Sequence, residues 1–572
     1  MSFFRTSFAE DIFQYKYAHE GCETWDALSR TLVEDVCQDM LSKSDKEDLI
    51  HIHTKMQFIA GGRYLYYAGR KKRFYNNCFL LKAEEDTRED WANLSWKSES
   101  ALLTGGGIGT DYSIYRPAGS RLGSTGGVAS GPIPKMMMIN EIGRFVQQGG
   151  ARRSAIYASL DWDHADASTF LTCKNWDEMV VPNAHFDDGS PITIAALKER
   201  DFNFVAPLDM TNISLNYNNS FLEQLYGMPK EVLTGKLNGK VPQIVDLPDL
   251  FVENVHQAMR TGEPGLSFNF FEKEKETLRN ACTEVTSEDD SDVCNLGSIN
   301  MSKIDTIQEF RHAIELGIKF LMCGTIRGQL PYAKIHEVRE KNRRLGLGLM
   351  GIHEWLLKRG YRYEVVPELH EWLQVYQDET ARIAKITAHS WSISEPVATR
   401  AIAPTGTIGI MACTTTGIEP LFATAYKRRY LKSGHAWHYQ YVVDGTAKAL
   451  IDKFDLEPEN IETAINLSRD PERRVKFQAD VQDYVDQGIS STINLEGWGT
   501  TFNNQLQVEG FATMLAKYVH RLRGFTAYPD GARGGQPLTP VNYHEALQNE
   551  GEEFEEKFMD VCELTGGGSC GV

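Results

Sequence analysis

Apolar and polar positions follow two rhythms along this chain, and the change comes near residue 75. Before it, apolar residues recur three and four positions apart. The stretch that opens Thr24-Trp25-Asp26-Ala27-Leu28 continues through Leu32, Val33, Val36 and Met40. Residues so spaced share one helix face, and a threonine ahead of the run can cap the first turn. The spacing predicts a helical cap over residues 1–75, too short and too polar to stand as an enzyme domain. From residue 76 to about 545, short apolar runs alternate with glycine turns and amphipathic stretches, the texture of an α/β protein. No repeat and no low-complexity linker divides that region, which reads as one large domain. Within it a helix is expected from Met136 to Val146, or from Ile133 with its three successive methionines.

Residues 546–572 read as a flexible tail. Acidic residues crowd its start, and it ends Cys562-Glu563-Leu564-Thr565-Gly566-Gly567-Gly568-Ser569-Cys570-Gly571-Val572. Consecutive glycines lose too much backbone entropy to hold regular structure, so the last residues are expected to be mobile.

The 572 residues, 42% hydrophobic and 24% charged, fit a globular protein with room for one large barrel. The net charge of −18 argues against direct binding to nucleic acid, which needs a basic face, but leaves room for nucleotides in a local pocket. No apolar run reaches the roughly 18–20 residues of a membrane helix, and the N-terminus has no signal-peptide pattern. No Cys/His spacing reads as a metal site. A reducing cytoplasm is the expected compartment, the host's if the source is viral. Of the ten cysteines, Cys22, Cys37, Cys173, Cys323 and Cys413 read as buried apolar residues.

Other cysteines stand in contexts that suggest chemistry. In Asn280-Ala281-Cys282-Thr283-Glu284 an extended backbone would turn positions i, i+2 and i+4 to one side, so Asn280, Cys282 and Glu284 would face one pocket. A carboxylate beside a thiol raises the thiol pKa, which disfavours a protease-like thiolate and suits a neutral sulfur radical beside a base. Taken alone, the motif is better explained by a buried strand with one small apolar cysteine. Cys78 and Cys294 are either two core cysteines or a dithiol that closes to a disulfide, which Cys562 and Cys570 on their glycine-rich arm could reopen. Two glycine clusters carry arginine pairs suited to phosphate: Arg116-Pro117-Ala118-Gly119-Ser120-Arg121, and Gly149-Gly150-Ala151-Arg152-Arg153. Ala403-Pro404-Thr405-Gly406-Thr407-Ile408 presents amides and hydroxyls ahead of an apolar stretch, a phosphate cradle or an ordinary capped turn.

The combination resembles the catalytic subunit of ribonucleotide reductase. The resemblance runs from about Tyr75 to the C-terminus. It rests on Asn77-Cys78-Phe79, Gly105-Gly106-Gly107-Ile108-Gly109, Thr125-Gly126-Gly127-Val128-Ala129-Ser130-Gly131-Pro132, Asn280-Ala281-Cys282-Thr283-Glu284, Cys294-Asn295-Leu296-Gly297-Ser298-Ile299-Asn300, Ala403-Pro404-Thr405-Gly406-Thr407-Ile408 and Tyr528-Pro529-Asp530-Gly531-Ala532-Arg533. The wording is most similar to the adenosylcobalamin-dependent class and to the short reductases of bacterial viruses.

The resemblance implies a ten-stranded α/β barrel, two antiparallel halves of five parallel strands, with Cys282 at the tip of a central finger loop. It implies reduction of ribonucleotides, diphosphates slightly preferred, to deoxyribonucleotides. Cys282 would be the thiyl radical, Glu284 the base on the 3′ hydroxyl, and Asn280 a ribose ligand. Cys78 and Cys294 would be the reducing dithiol, and Thr405, Gly406, Thr407 and Ile408 the substrate-phosphate site. Cys562 and Cys570 would relay electrons from thioredoxin or glutaredoxin. Asp86, Arg116, Arg121, Arg152 and Arg153 would bind or report a dNTP effector such as dTTP at a homodimer interface that includes the methionine-rich helix. No ATP cone precedes Cys78, so on–off control through one is not expected. The radical source is read as adenosylcobalamin, since one tyrosine, Tyr528, stands where two are usual. The alternative is a ferritin-like metal subunit with Tyr528 as last relay. A catalytically dead nucleotide-binding regulator and a glycyl-radical enzyme are the rival classes. The complete set of five catalytic residues disfavours the first rival, and the terminal dithiol disfavours the second.

Overall fold

The computed structural model describes residues 3–123, 126–146, 154–186, 188–201, 204–236, 243–432, 436–532 and 538–555. At its centre lies a nine-stranded mixed sheet. Five strands run parallel in sequence order: Cys78–Lys82, Gly107–Asp111, Ile156–Asp161, Thr211–Tyr217 and Gly265–Phe268. Parallel neighbours need long crossovers, and helices such as Arg88–Leu102, Pro132–Phe145 and Asp249–Thr261 supply them. These strands are covered on both faces, which is why the sequence shows apolar runs there rather than strict alternation.

The chain then reverses. Asp292–Asn300 pairs antiparallel with Cys78–Lys82 near its start and parallel with Leu345–Met350 further on. Beyond that, pairing thins to single bridges, Leu347 with Arg400 and Ile402 with Ile489. Phe58–Ala60 and Gly524–Phe525 end the path, each antiparallel to its neighbour. The fold is thus mixed α/β with a large sheet. The closed ten-stranded barrel does not appear as a continuous ladder among the described residues, because the segments around Arg400 and Ile489 contribute bridges rather than strands.

The N-terminal helices are Ser7–Lys16, Trp25–Cys37 and Lys43–Thr54, capped by the side chains of Thr6, Thr24 and Ser42. The second stops at Cys37, short of Met40, because Gln38 takes a left-handed φ of 42° and turns the chain. These helices have no core of their own. Leu28, Leu32, Val33 and Val36 share one cluster with Phe58, Ile299, Leu321 and Leu347 of the second half. A separate cluster fills the parallel half. Between the two sits a small group: Cys78, Leu80, Leu278, Val285, Cys294, Leu296 and Ala401.

A four-stranded antiparallel sheet, Leu538–Pro540, Ala425–Lys432, Ala436–Val443 and Glu553–Glu555, lies at the C-terminal end. Residues 546–555 therefore do not belong to a loose tail: Tyr543 and Ala546 bury against Ala425 and Val443, and Glu553–Glu555 adds the last strand. Cys562 and Cys570 lie outside the described residues. Among the described residues, no helix is long and apolar enough to cross a membrane, and no cluster of three or more His, Cys, Asp or Glu side chains could hold a metal ion. Cys22, Cys37, Cys323 and Cys413 are buried, whereas Cys173 is only partly covered.

Candidate active site

Cys282 stands at the turn of a hairpin whose arms are Leu278–Arg279 and Thr286–Ser287. The hairpin is pinned from both halves of the fold. A Cβ on Gly109 would stand 1.5 Å from the Arg279 carbonyl oxygen, so only glycine lets the strand pass beneath the hairpin. Asn212 Nδ2 donates to the Ala281 carbonyl at 3.1 Å. From the other side, the Gly488 amide donates to the Glu284 carbonyl at 2.7 Å, and a Cβ on Gly488 would meet the Thr283 carbonyl at 2.7 Å. The buried Arg279 donates to the Phe268 carbonyl at 3.2 Å and to Asn269 Oδ1 at 2.7 Å.

The backbone at Cys282 is not extended. Thr283 has φ 68°, its amide donates to the Asn280 carbonyl at 2.9 Å, and the Val285 amide donates to Asn280 Oδ1 at 3.0 Å. A tight turn, not strand alternation, gathers Asn280, Cys282 and Glu284 onto one pocket of about 360 Å³. Cys78 lines the same pocket, and Asn280 Nδ2 donates to its Sγ at 3.1 Å. Cys294 lies directly opposite Cys78 in the antiparallel pair, and both thiols are free. Opposed residues hold their Cβ atoms roughly 4.5–5.5 Å apart. A disulfide spans about 3.5–4.5 Å, so a small strand shift would join the two.

Electrostatics favour neutral groups throughout. Burial pushes the Glu284 carboxyl up to about 7. Burial, and then the neighbouring Glu284, push the Cys78 thiol well above its ordinary value. Burial does the same to Cys294 against the opposing pull of Arg344, which is held by Asp292 at 2.8 Å. Both thiols therefore keep their protons at neutral pH and can act as proton donors.

Three buried polar atoms of this pocket have no partner in the protein: Glu284 Oε2, Asn77 Oδ1 and Ser298 Oγ. Buried polar groups are nearly always satisfied, so three orphans around one cavity mark a place for a polar ligand. Asn77 and Ser298 stand in motifs quoted above, Asn77 next to Cys78 and Ser298 four residues after Cys294, and that placement is the sequence signal for them. Tyr17 and Arg63 also line the pocket, and nothing in their local sequence announces it.

Thr405, Gly406, Thr407 and Ile408 line the pocket too. Thr405 has φ 51° and accepts from the Gly417 amide at 2.8 Å through Oγ1. Far from the pocket, Arg116 pairs with Asp86, its amide donating to Asp86 Oδ2 at 3.2 Å. Arg121 bridges Val128 within the same loop. Arg152 and Arg153 lie outside the described residues. Tyr528 does not line the Cys282 pocket; it is paired with Asn494, faces another cavity and donates to the Ala532 carbonyl at 3.1 Å.

A family model described as the ribonucleotide reductase barrel domain matches residues 76–377 and 397–526. The chain belongs to the ribonucleotide reductase family. The reductase is an oxidoreductase by that membership, and curated relatives agree. A Mycobacterium tuberculosis protein named vitamin B12-dependent ribonucleoside-diphosphate reductase is 24% identical, over 91% of this chain and 77% of its own length. A Mycobacterium phage D29 protein named as a putative adenosylcobalamin-dependent ribonucleoside-triphosphate reductase is 26% identical over 73% of this chain and 65% of its own. Among solved structures, the class Id ribonucleotide reductase alpha subunit of Actinobacillus ureae aligns with TM-score 0.65 at 16% identity, covering 92% of this chain and 97% of that one, which shows a shared fold.

Proposed function

We propose that this chain reduces ribonucleotides, diphosphates slightly preferred, to 2′-deoxyribonucleotides in the cytoplasm, with its Cys282 hairpin acting as the finger loop of a barrel-like fold. The observation that carries it is the junction of the two halves, where a thiol, a carboxyl near neutrality, an amide and one member of an opposed thiol pair meet in one cavity with three unsatisfied polar atoms. Cys282 as a thiyl radical would take the hydrogen from C3′. Glu284, with a pKa near 7, would accept the proton of the 3′ hydroxyl, and Asn280 would hold that hydroxyl's end of the ribose. Cys78, neutral and at the pocket wall, would protonate the departing 2′ hydroxyl. With Cys294 it would give up two electrons and close to a disulfide, after which Glu284 would return the proton to the 3′ oxygen and Cys282 the hydrogen to C3′, regaining its radical. Thr405, Gly406, Thr407 and Ile408 would take the substrate phosphates. Cys562 and Cys570 would reopen the disulfide with electrons from thioredoxin or glutaredoxin.

A second cavity, of about 530 Å³, shares Pro404 and Gly406 with the Cys282 pocket. A Cβ on Gly406 would meet nothing within 4 Å. Its walls combine Phe8, Ile410 and Phe422 with Thr414, Thr416 and Asp444, a mixture suited to a large amphipathic macrocycle. The cavity is too small to enclose adenosylcobalamin, and these residues would hold one edge of it. Bound there, the cofactor would supply the homolysable bond from which the Cys282 radical originates. This reading needs no ferritin-like partner and leaves Tyr528 as a half-buried aromatic.

The loop at residues 116–128, with Asp86, Arg116, Arg121, Arg152 and Arg153, is proposed to take a dNTP effector such as dTTP at a homodimer interface. Helix Pro132–Phe145, where Met137, Met138 and Phe145 are exposed, would be part of that interface. The deciding assay uses the purified chain with a ribonucleoside diphosphate, dithiothreitol and adenosylcobalamin. Turnover in the wild type and in Tyr528→Phe supports the cobalamin reading. Turnover that needs a metal-loaded partner and disappears in Tyr528→Phe overturns it.

A further inference from the structure

We propose that Lys16 binds the terminal phosphate of the substrate, so that helix Ser7–Lys16 supplies a cation that the phosphate end of the pocket otherwise lacks. The inference rests on the reading above that phosphates lie along residues 405–408. Among the described residues lining the pocket, Arg63 alone carries a fixed positive charge. It is held at the Gly105 side, where Nη2 donates to the Thr104 carbonyl and, at 3.2 Å, to Tyr67 Oη. Glu284 adds negative charge whenever it ionises, and the whole chain carries −18. A nucleoside diphosphate brings several negative charges of its own. Amides and hydroxyls alone would have to hold it against that field.

The N-terminal helix changes this. It packs on the helix Gly406–Ala412, with Thr6 Oγ1 3.7 Å from Cys413 Sγ at one end. At the other end Lys16 Nζ donates to Thr407 Oγ1 at 3.4 Å. Thr407 lines the pocket, and so does Tyr17, the next residue after Lys16. The ammonium is thus one hydrogen bond from the proposed phosphate position, on an exposed stem. A lysine in a helix's last turn also complements the helix dipole, but this one reaches across to a different element.

The test uses Cys282→Ser protein, in which substrate can be bound without turnover. Binding of CDP, CMP and cytidine is measured by calorimetry with lysine, glutamine or arginine at position 16. Lys16→Gln is expected to weaken CDP about 10-fold, CMP less and cytidine not at all, while Lys16→Arg keeps most of the affinity. In the active enzyme Lys16→Gln raises KM for the diphosphate and leaves kcat in place. Equal loss for CDP and cytidine, or unchanged CDP affinity in a variant with an unchanged melting temperature, overturns the proposal. If the Cys282→Ser parent binds cytidine as tightly as CDP, the phosphate reading itself fails, and the role of Lys16 with it.

Discussion

The turn at residues 280–284 and the loop at residues 116–128 both pack glycine-flanked functional groups into a short segment, yet the fold treats them differently. Around the turn, Glu284 Oε2, Asn77 Oδ1 and Ser298 Oγ are buried and left without protein partners. In the loop, Arg116 is engaged by Asp86, Ala118 donates its amide to Asp166 at 2.9 Å, and the Ala129 amide donates to the Ser120 carbonyl at 2.7 Å. The glycines differ in the same sense. Gly109 and Gly488 are required by backbone that passes within contact distance, whereas a Cβ at Gly119 or Gly123 would meet open space. A site that must hold a polar ligand in a dry cavity keeps unsatisfied groups and rigid walls. A surface loop satisfies itself.

The sharpest break of that contrast is Cys282→Ser. Deoxynucleotide formation is expected to fall by at least ~10³-fold, with nucleotide binding retained by calorimetry. Retained turnover would remove the turn from the chemistry.

Next is Glu284→Gln, expected to cost ~10²–10⁴-fold in kcat. In the wild type kcat should rise with pH through about 7, as the buried carboxyl ionises, and this limb should vanish in the variant. Stability moves the opposite way. The folded carboxyl titrates above its unfolded value, so folding is favoured below about 4.5 and loses that contribution as pH rises through about 7. Glu284→Gln should therefore melt higher than wild type at pH 8, by up to roughly 3 kcal/mol, with the gap closing in acid. A wild-type profile flat across neutral pH would show that Glu284 is not the base.

Third, Gly109→Ala should destabilise the protein by roughly 1–3 kcal/mol or more, since its Cβ would collide with the Arg279 carbonyl, and should misplace Cys282. Gly123→Ala should stay within about 0.5 kcal/mol. Equal denaturant midpoints for the two would erase the distinction between turn and loop.

The smallest effect is Arg116→Ala. The Asp86 pair is partly exposed and worth under about 1 kcal/mol, so stability and basal kcat should hardly change. The response of substrate preference to dTTP should be lost. An intact response would place the effector elsewhere.

The sequence by itself determined the family and the α/β class, and it named the groups proposed to react. Those signals are local: a cap and its apolar face, a cysteine between an amide and a carboxylate, glycines in a fixed order. It also led to Cys78 and Cys294, but as an implication of resemblance, because nothing local says that residues so far apart in the chain are opposed in register. Tertiary structure alone decided that opposition, and the turn at Thr283 that replaces the expected extended backbone. It decided that the N-terminal helices share the second half's core and bring Tyr17 to the pocket and Lys16 to Thr407, and that residues 546–555 complete a sheet. It also set the Glu284 carboxyl near neutrality. Burial and long-range packing are sums over the whole chain, so a motif can name the group that ionises but not the solvent it has lost.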